Sequence, residues 1–270
     1  MPVINLPMPM KAPRAGPAML ALAAVLWLAL SVRAAQADEI NIAVAANFLG
    51  TLQKLAPQFE HASAHKLVLS SGASGQLYAQ IVQGAPFDLL LSADVEKPKL
   101  LESAGLAVPG SRFTYATGTL VLWSPKAGLV DPAARILQSH TYRFIGVADP
   151  ANAPYGAAAR EVLRALGLWD QLTQEHKLVT GESITQAWQF AATGNVDMAF
   201  VALSQVLQSD GSISGSSWLP PQSMYTRIDQ DAVVLVHASH RAAAEAFANW
   251  LQHDPIALAT IRSAGYRTGD

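Results

Sequence analysis

From residue 39 onward the chain repeats one pattern: a short run of valine, isoleucine, leucine or alanine, a turn of small residues, then a stretch whose apolar residues recur three and four apart. The runs suit buried strands and the stretches suit amphipathic helices. No other feature limits the fold as much, because strands alternating with helices imply parallel sheets covered on both faces. The pattern predicts strands over 39–45, 66–71, 87–91, 118–124, 143–148, 178–180, 197–202 and 231–237. Helices are predicted from Leu49 with a kink at Pro57, from Ser74, over 95–104, from Tyr155, over 183–193, around 243–251, and from Pro255 to about 263. The serine-, glycine- and proline-rich stretch 209–223 reads as loop. About eight strands over residues 38–270 suit two α/β domains better than one. In open parallel sheets ligands bind beyond the carboxyl ends of the strands.

The first 37 residues follow a different rule. Lys11 and Arg14 precede an apolar run from Ala18 to Leu30, and the small-x-small triplet Ala35-Gln36-Ala37 comes next. This is the layout of a cleaved secretory signal peptide, with cleavage expected after Ala37. The run is short for a membrane span, which needs about 20 residues. An exported, periplasmic protein is the expectation. The removed segment holds Lys11, Arg14 and Arg33 and no acid, so 15 basic and 20 acidic side chains remain, a formal charge of −5. There is no basic stripe to suit nucleic acid. The chain has no cysteine, which excludes disulfides, thiolate metal sites and a cysteine nucleophile.

Four strand-to-helix turns share a chemistry. They are Ala45-Ala46-Asn47-Phe48, Gly72-Ala73-Ser74-Gly75, the stretch from Asp149 to Gly156, and Gly181-Glu182-Ser183-Ile184. Helix starts leave several N–H groups without an internal partner, and the helix dipole adds partial positive charge there. Small residues let the backbone approach a ligand closely. Asn47, Ser74 and Tyr155 can add side-chain donors. Serine and asparagine before a helix are also ordinary N-caps, so a single turn of this kind says little. The set says more: four turns at one class of position, none with a cation. Asp149 and Glu182 would repel an anion, so their side chains are expected to point away, leaving backbone N–H groups at Ser183 and Ile184 to serve the fourth turn.

Other candidates read as structural. The seven histidines are scattered, and His61 with His65 lies in a polar stretch. Asp88 and Asp94 flank a strand, and Asp94 is expected to cap the following helix. Trp123, Trp188 and Trp250 fit core positions. GxSxG, P-loop and GxGxxG patterns are absent.

The segments AVAANF, SGASGQLYAQI, GAPFDLLLSAD, GVADPANAPYGAAAREVL and GESITQAWQFAATGNVDMAFVALSQV, in that order, resemble the periplasmic molybdate-binding proteins of ABC transporters. The resemblance spans essentially all of residues 38–270. It implies the type II periplasmic binding protein fold: two α/β domains with central mixed sheets, ligand in the interdomain cleft. Domain one would comprise 38–118 plus 228–270, and domain two 119–227. It implies binding of molybdate, and of tungstate, for delivery to a membrane permease. It implies a monomer with no cofactor and no direct metal ligands, the oxyanion being held through Ala46, Asn47, Ser74, Tyr155 and Ile184. One departure stands out. Some relatives carry a tyrosine where this chain has Ala202, and Tyr155 is the candidate replacement donor.

The rival readings are a carrier of another tetrahedral oxyanion such as sulfate, a carrier of a small organic acid, a regulatory effector domain of the same two-lobed fold, and an α/β enzyme. An organic carboxylate usually recruits arginine, and none lies in the four turns. The effector domain would normally be fused to a DNA-binding segment. Turnover lacks a nucleophile–base pair in these turns.

Overall fold

The computed structural model describes residues 38–269. The expected leader, residues 1–37, lies outside them. Ten strands form two five-stranded sheets among the described residues. The first sheet contains β1 (Glu39–Ala45), β2 (Lys66–Gly72), β3 (Leu89–Leu91), β4 (Phe113–Gly118) and β10 (Ile228–Val234), in the order β2-β1-β3-β10-β4. The second contains β5 (Leu120–Ser124), β6 (Ile145–Ala148), β7 (Leu178–Gly181), β8 (Met198–Ala202) and β9 (Ser216–Trp218), in the order β7-β6-β8-β5-β9.

The two sheets repeat one design. Three parallel strands, β2-β1-β3 and β7-β6-β8, are each followed by an antiparallel strand and an antiparallel edge. The sheets are therefore mixed, where alternation alone implied parallel ones. Parallel neighbours end on the same side of a sheet, so the turns leaving β1 and β2 lie side by side, as do those leaving β6 and β7.

Helices cover both sheets. α1 (Leu49–Ser63), α2 (Ser74–Val82), α3 (Glu96–Ser103), α9 (Arg241–His253) and α10 (Pro255–Ser263) accompany the first. α4 (Ile136–Ser139), α5 (Pro154–Ala165), α6 (Trp169–Gln174), α7 (Ile184–Ala192) and α8 (Leu203–Val206) accompany the second. Ile40, Ile42 and Val44 pack with Leu52 and Phe59 of α1 and Phe247 of α9, and Ala43 on the opposite face packs with Leu77 and Leu101. Leu122, Val147 and Phe200 pack with Val162 of α5, and Val121 and Ala199 pack on the α7 side. Burial on both faces explains why the strands read as continuous apolar runs rather than alternating ones.

Some expectations shift. The run 118–124, read as one strand, is β4 ending at Gly118 and β5 starting at Leu120, in different sheets. An unbroken apolar run carries no mark of where its pairing partner changes. β4 itself, the short helices α4, α6 and α8, and β9 inside the presumed loop fall outside the predicted set. β10 begins three residues earlier than expected, because Asp229 and Gln230 are polar yet paired in the ladder. Pro57 lies inside an unbroken α1. Asp94 acts as foreseen, its carboxylate accepting the N–H of Lys97 at 2.8 Å.

One buried carboxylate staples the second sheet. Asp197 accepts from Lys126 Nζ at 2.9 Å and from the N–H of Arg143 at 2.7 Å. Burial pulls its pKa upward, but these donors outweigh burial and hold it at about 2 against an ordinary 3.8. A carboxylate depressed by the fold is protonated more readily in the unfolded chain. Its contribution is therefore complete above pH ~4 and fades as pH falls through about 2. Asp197→Asn is expected to cost about 2 kcal/mol at pH 7 and about half that at pH 3. Denaturant melts at the two values check this, and an equal loss at both would remove the carboxylate's charge as the cause.

Candidate functional site

The four turns foreseen in the sequence meet. Ala46, Asn47, Ser74, Tyr155 and Ile184 all line one cavity of about 10 Å³. The remaining lining residues are alanine, glycine or proline, so no side chain on the wall carries a charge.

Each turn reaches the cavity for a local reason. The first is anchored by Phe48, fully buried, whose ring sits edge-on to Tyr115 at 4.7 Å and to Tyr266 at 5.3 Å. That apolar anchor fixes the two preceding residues at the end of β1. The second puts Ser74 at the first position of α2, after extended Ala73. The third follows β6, where Pro154 opens α5 and Tyr155 occupies its second position. The fourth follows β7, and Ser183 caps α7 by accepting the N–H of Gln186 at 3.3 Å.

Capping does not explain these residues. The N-caps of α1, α2 and α5 are Phe48, Ala73 and Ala153, and none makes a side-chain cap bond. Among the described residues the backbone N–H groups of Asn47, Ser74, Tyr155 and Ile184 have no hydrogen-bond partner. The Ala46 N–H is spent on the Gly72 carbonyl at 3.0 Å. Of the two neighbours, Asn47 thus offers the free donor and Ala46 offers only wall. The Ser74 hydroxyl accepts the N–H of Ala93 at 2.9 Å, which leaves its own proton to donate elsewhere.

Two side chains do different work from that foreseen. The Asn47 amide donates to Gln230 Oε1 at 2.9 Å and to Tyr266 Oη at 3.1 Å, so both its hydrogens are used. The Tyr155 hydroxyl accepts from Gln230 Nε2 at 3.3 Å. Burial, first of all, pushes the hydroxyls of Tyr155 and Tyr266 above the ordinary phenol range, so both remain protonated donors. Ala202 is fully buried and does not line the cavity.

Acceptors are turned away from the wall. Thr185 Oγ1 donates to the Ala46 carbonyl at 3.3 Å, and Ser204 Oγ donates to the Asn47 carbonyl at 3.1 Å. The Asp149 carboxylate folds into its own turn, accepting from the Ala151 N–H at 2.9 Å and Asn152 Nδ2 at 2.7 Å. Glu182 is exposed. The turns themselves touch, with the Gly75 N–H donating to the Asn152 carbonyl at 2.9 Å. Thr185, Ser204, Gln230 and Tyr266 went unnoticed in the sequence. Only Gln230 left a trace there, as an amide inside the otherwise strand-like run Ile228–Val234.

Free N–H groups at several helix starts, a hydroxyl donor and no charged side chain on the wall suit a small anion. Neutral donors cost less to bury than a cation does.

Comparison with known proteins agrees with that chemistry. Residues 40–267 match the family described as bacterial extracellular solute-binding protein. The chain is 48% identical over 248 residues to the molybdate-binding protein ModA of Rhodobacter capsulatus, covering 92% of this chain and 94% of that protein. It is 45% identical over 245 residues to ModA of Azotobacter vinelandii, covering 91% and 96%. The solved structure of the Azotobacter vinelandii periplasmic molybdate-binding protein superposes with a TM-score of 0.84, covering 86% of this chain and all of that one.

Proposed function

The chain belongs to the bacterial extracellular solute-binding protein family, and from that premise we propose that it captures molybdate, and equally tungstate, in the periplasm and delivers it to the permease of an ABC transporter. It is a carrier, not an enzyme. The observation that carries the reading is the meeting of four cation-free helix-start turns on one small cavity whose wall has no charged side chain.

The donors proposed to hold the ion are the backbone N–H groups of Asn47, Ser74, Tyr155 and Ile184 with the Ser74 hydroxyl, Ala46 closing the wall beside them. Molybdate at neutral pH is a dianion with no proton, so it needs donors alone. Phosphate carries a proton and would need an acceptor, whereas the Ala46 and Asn47 carbonyls are already engaged by Thr185 and Ser204. Between molybdate and sulfate, size decides. Tungstate matches molybdate in both charge and size.

In this reading residues 38–118 with 228–270 form one lobe and 119–227 the other. The lobes hinge at the two chain crossings, and closing completes the donor shell. The working protein is proposed to be an exported monomer whose leader, residues 1–37, is removed. No helix among the described residues is long and apolar enough to cross a membrane.

The test is a thermal-shift panel on residues 38–270 with molybdate, tungstate, sulfate, phosphate and several carboxylates. Molybdate and tungstate are expected to raise Tm strongly by mass action, as tight ligands do. A larger shift with sulfate or with a carboxylate would overturn the assignment.

A further inference from the structure

Gln230 touches both halves of the cleft at once. It is fully buried on β10, the strand that follows the second chain crossing. Its Oε1 accepts from Asn47 Nδ2 at 2.9 Å and lies 3.0 Å from Tyr115 Oη, both groups on first-sheet elements. Its Nε2 donates to Tyr155 Oη at 3.3 Å, on α5 beside the second sheet. Asn47 and Tyr155 are the residues whose backbone N–H groups face the ion in the reading above. One amide therefore grips the side chains of two ligand-bearing turns from opposite lobes.

The surroundings are shaped for this contact. Gly118, at the first crossing, lies so close that a Cβ there would fall 2.7 Å from Gln230 Nε2 and would overlap the Tyr155 hydroxyl. Any larger residue would displace the phenol from the amide. Asn47 is held from the other side by Tyr266, whose hydroxyl also lies 2.8 Å from Ser204 Oγ on α8. The cluster is buried, and its members satisfy one another, so its strength depends on all of them being in place.

We propose that Gln230 is a positioning residue that couples closure of the lobes to the anion site: its amide orients the Asn47 turn permanently and captures the Tyr155 hydroxyl only when the lobes are together. The inference rests on the carrier reading and deepens it, assigning the slow release of the ion to a residue that does not touch it. Opening the cleft would break the Gln230–Tyr155 bond, whereas arrival of the ion at an open cleft would not involve it.

The experiment measures association and release rates of molybdate by stopped-flow fluorescence for wild type, Gln230→Met, Tyr155→Phe and the double variant. Tyr155→Phe is expected to release molybdate about tenfold faster with association unchanged, the loss of roughly one hydrogen bond, and Gln230→Met at least as fast, since it also frees Asn47 and Tyr115. The double variant is expected to be no faster than Gln230→Met alone, because that variant already lacks the bond that Tyr155→Phe removes. A purely structural role would lower Tm without raising the release rate. Wild-type release rates in both single variants, or effects that multiply in the double, would overturn the proposal. If Gln230→Met does not fold, Tyr155→Phe decides alone, since it leaves the first-sheet contacts of Gln230 intact. A wild-type protein without affinity for molybdate would overturn the carrier reading and this inference with it. A binding wild type with unaltered variants would overturn the inference alone.

Discussion

Ser74→Asp is expected to abolish molybdate binding while leaving the unliganded protein at least as stable as wild type. Ser74 is 1% exposed and opens α2 on the cavity wall. A carboxylate there would meet a dianion at contact distance. Two charges against one at 4 Å, at an effective dielectric of 20, repel by about 8 kcal/mol. Partial protonation of the new acid would relieve some of this, but the loss should still exceed roughly 1,000-fold. The same carboxylate suits the free protein, because negative charge at a helix start contributes about 0.3–1 kcal/mol. Opposite signs for affinity and stability distinguish a broken site from a broken fold. Ser74→Ala is the milder companion, costing one charge-assisted hydrogen bond, about 1.5–3 kcal/mol. Calorimetric titration with molybdate and a thermal melt of each variant suffice. Affinity for Ser74→Asp within tenfold of wild type would take Ser74 out of the site.

Gly75→Val should weaken molybdate binding roughly 100-fold with little change in the melting of the ligand-free protein. A Cβ at Gly75 would stand 2.7 Å from Asn152 Oδ1, 3.1 Å from its Cα and 3.2 Å from its carbonyl oxygen. Two of those three atoms are backbone and cannot turn aside. Gly75 is the second residue of a first-sheet helix, and Asn152 belongs to the turn that leads into α5 of the second sheet. Valine would therefore hold the turns apart by about the width of its branch and forfeit the 2.9 Å bond from the Gly75 N–H. Overpacking of this kind costs about 3 kcal/mol at its upper range. It falls on the closed state alone, because in an open cleft the branch meets solvent. Valine is also no worse than glycine within a helix. Small-angle scattering should show wild type contracting on molybdate and Gly75→Val failing to do so. A wild-type Kd for this variant would mean that the two turns need not meet for binding.

The variants divide the site into parts that differ in how readily a sequence reveals them. Small residues after a strand and before a helix are a local signature, and the turns that bring Ala46, Asn47, Ser74, Tyr155 and Ile184 to one cavity were recognisable by it. The mode of use was less legible. Asn47 reads as a side-chain donor, yet its amide is committed to Gln230 and Tyr266, residues 183 and 219 positions away in the chain. The family resemblance implies that Ala46 helps hold the ion, yet its N–H closes on Gly72. A donor's availability depends on every partner within reach, and most of those partners are remote in sequence. The division of 118–124 between two sheets was hidden for a related reason: strand pairing is a property of neighbours, and the run itself is equally apolar on either side of Thr119.

The amino-acid sequence alone settled the alternation of strands and helices, the small-residue turns at the strand ends, and the absence of a cation in those turns. These are short-range matters of periodicity and residue size. The tertiary structure decided that the four turns share one cavity, that two carbonyls are bonded by Thr185 and Ser204, and that Gln230 bonds to elements of both sheets. Those outcomes depend on how two separate sheets pack, and packing brings together groups whose separation along the chain carries no information about their separation in space.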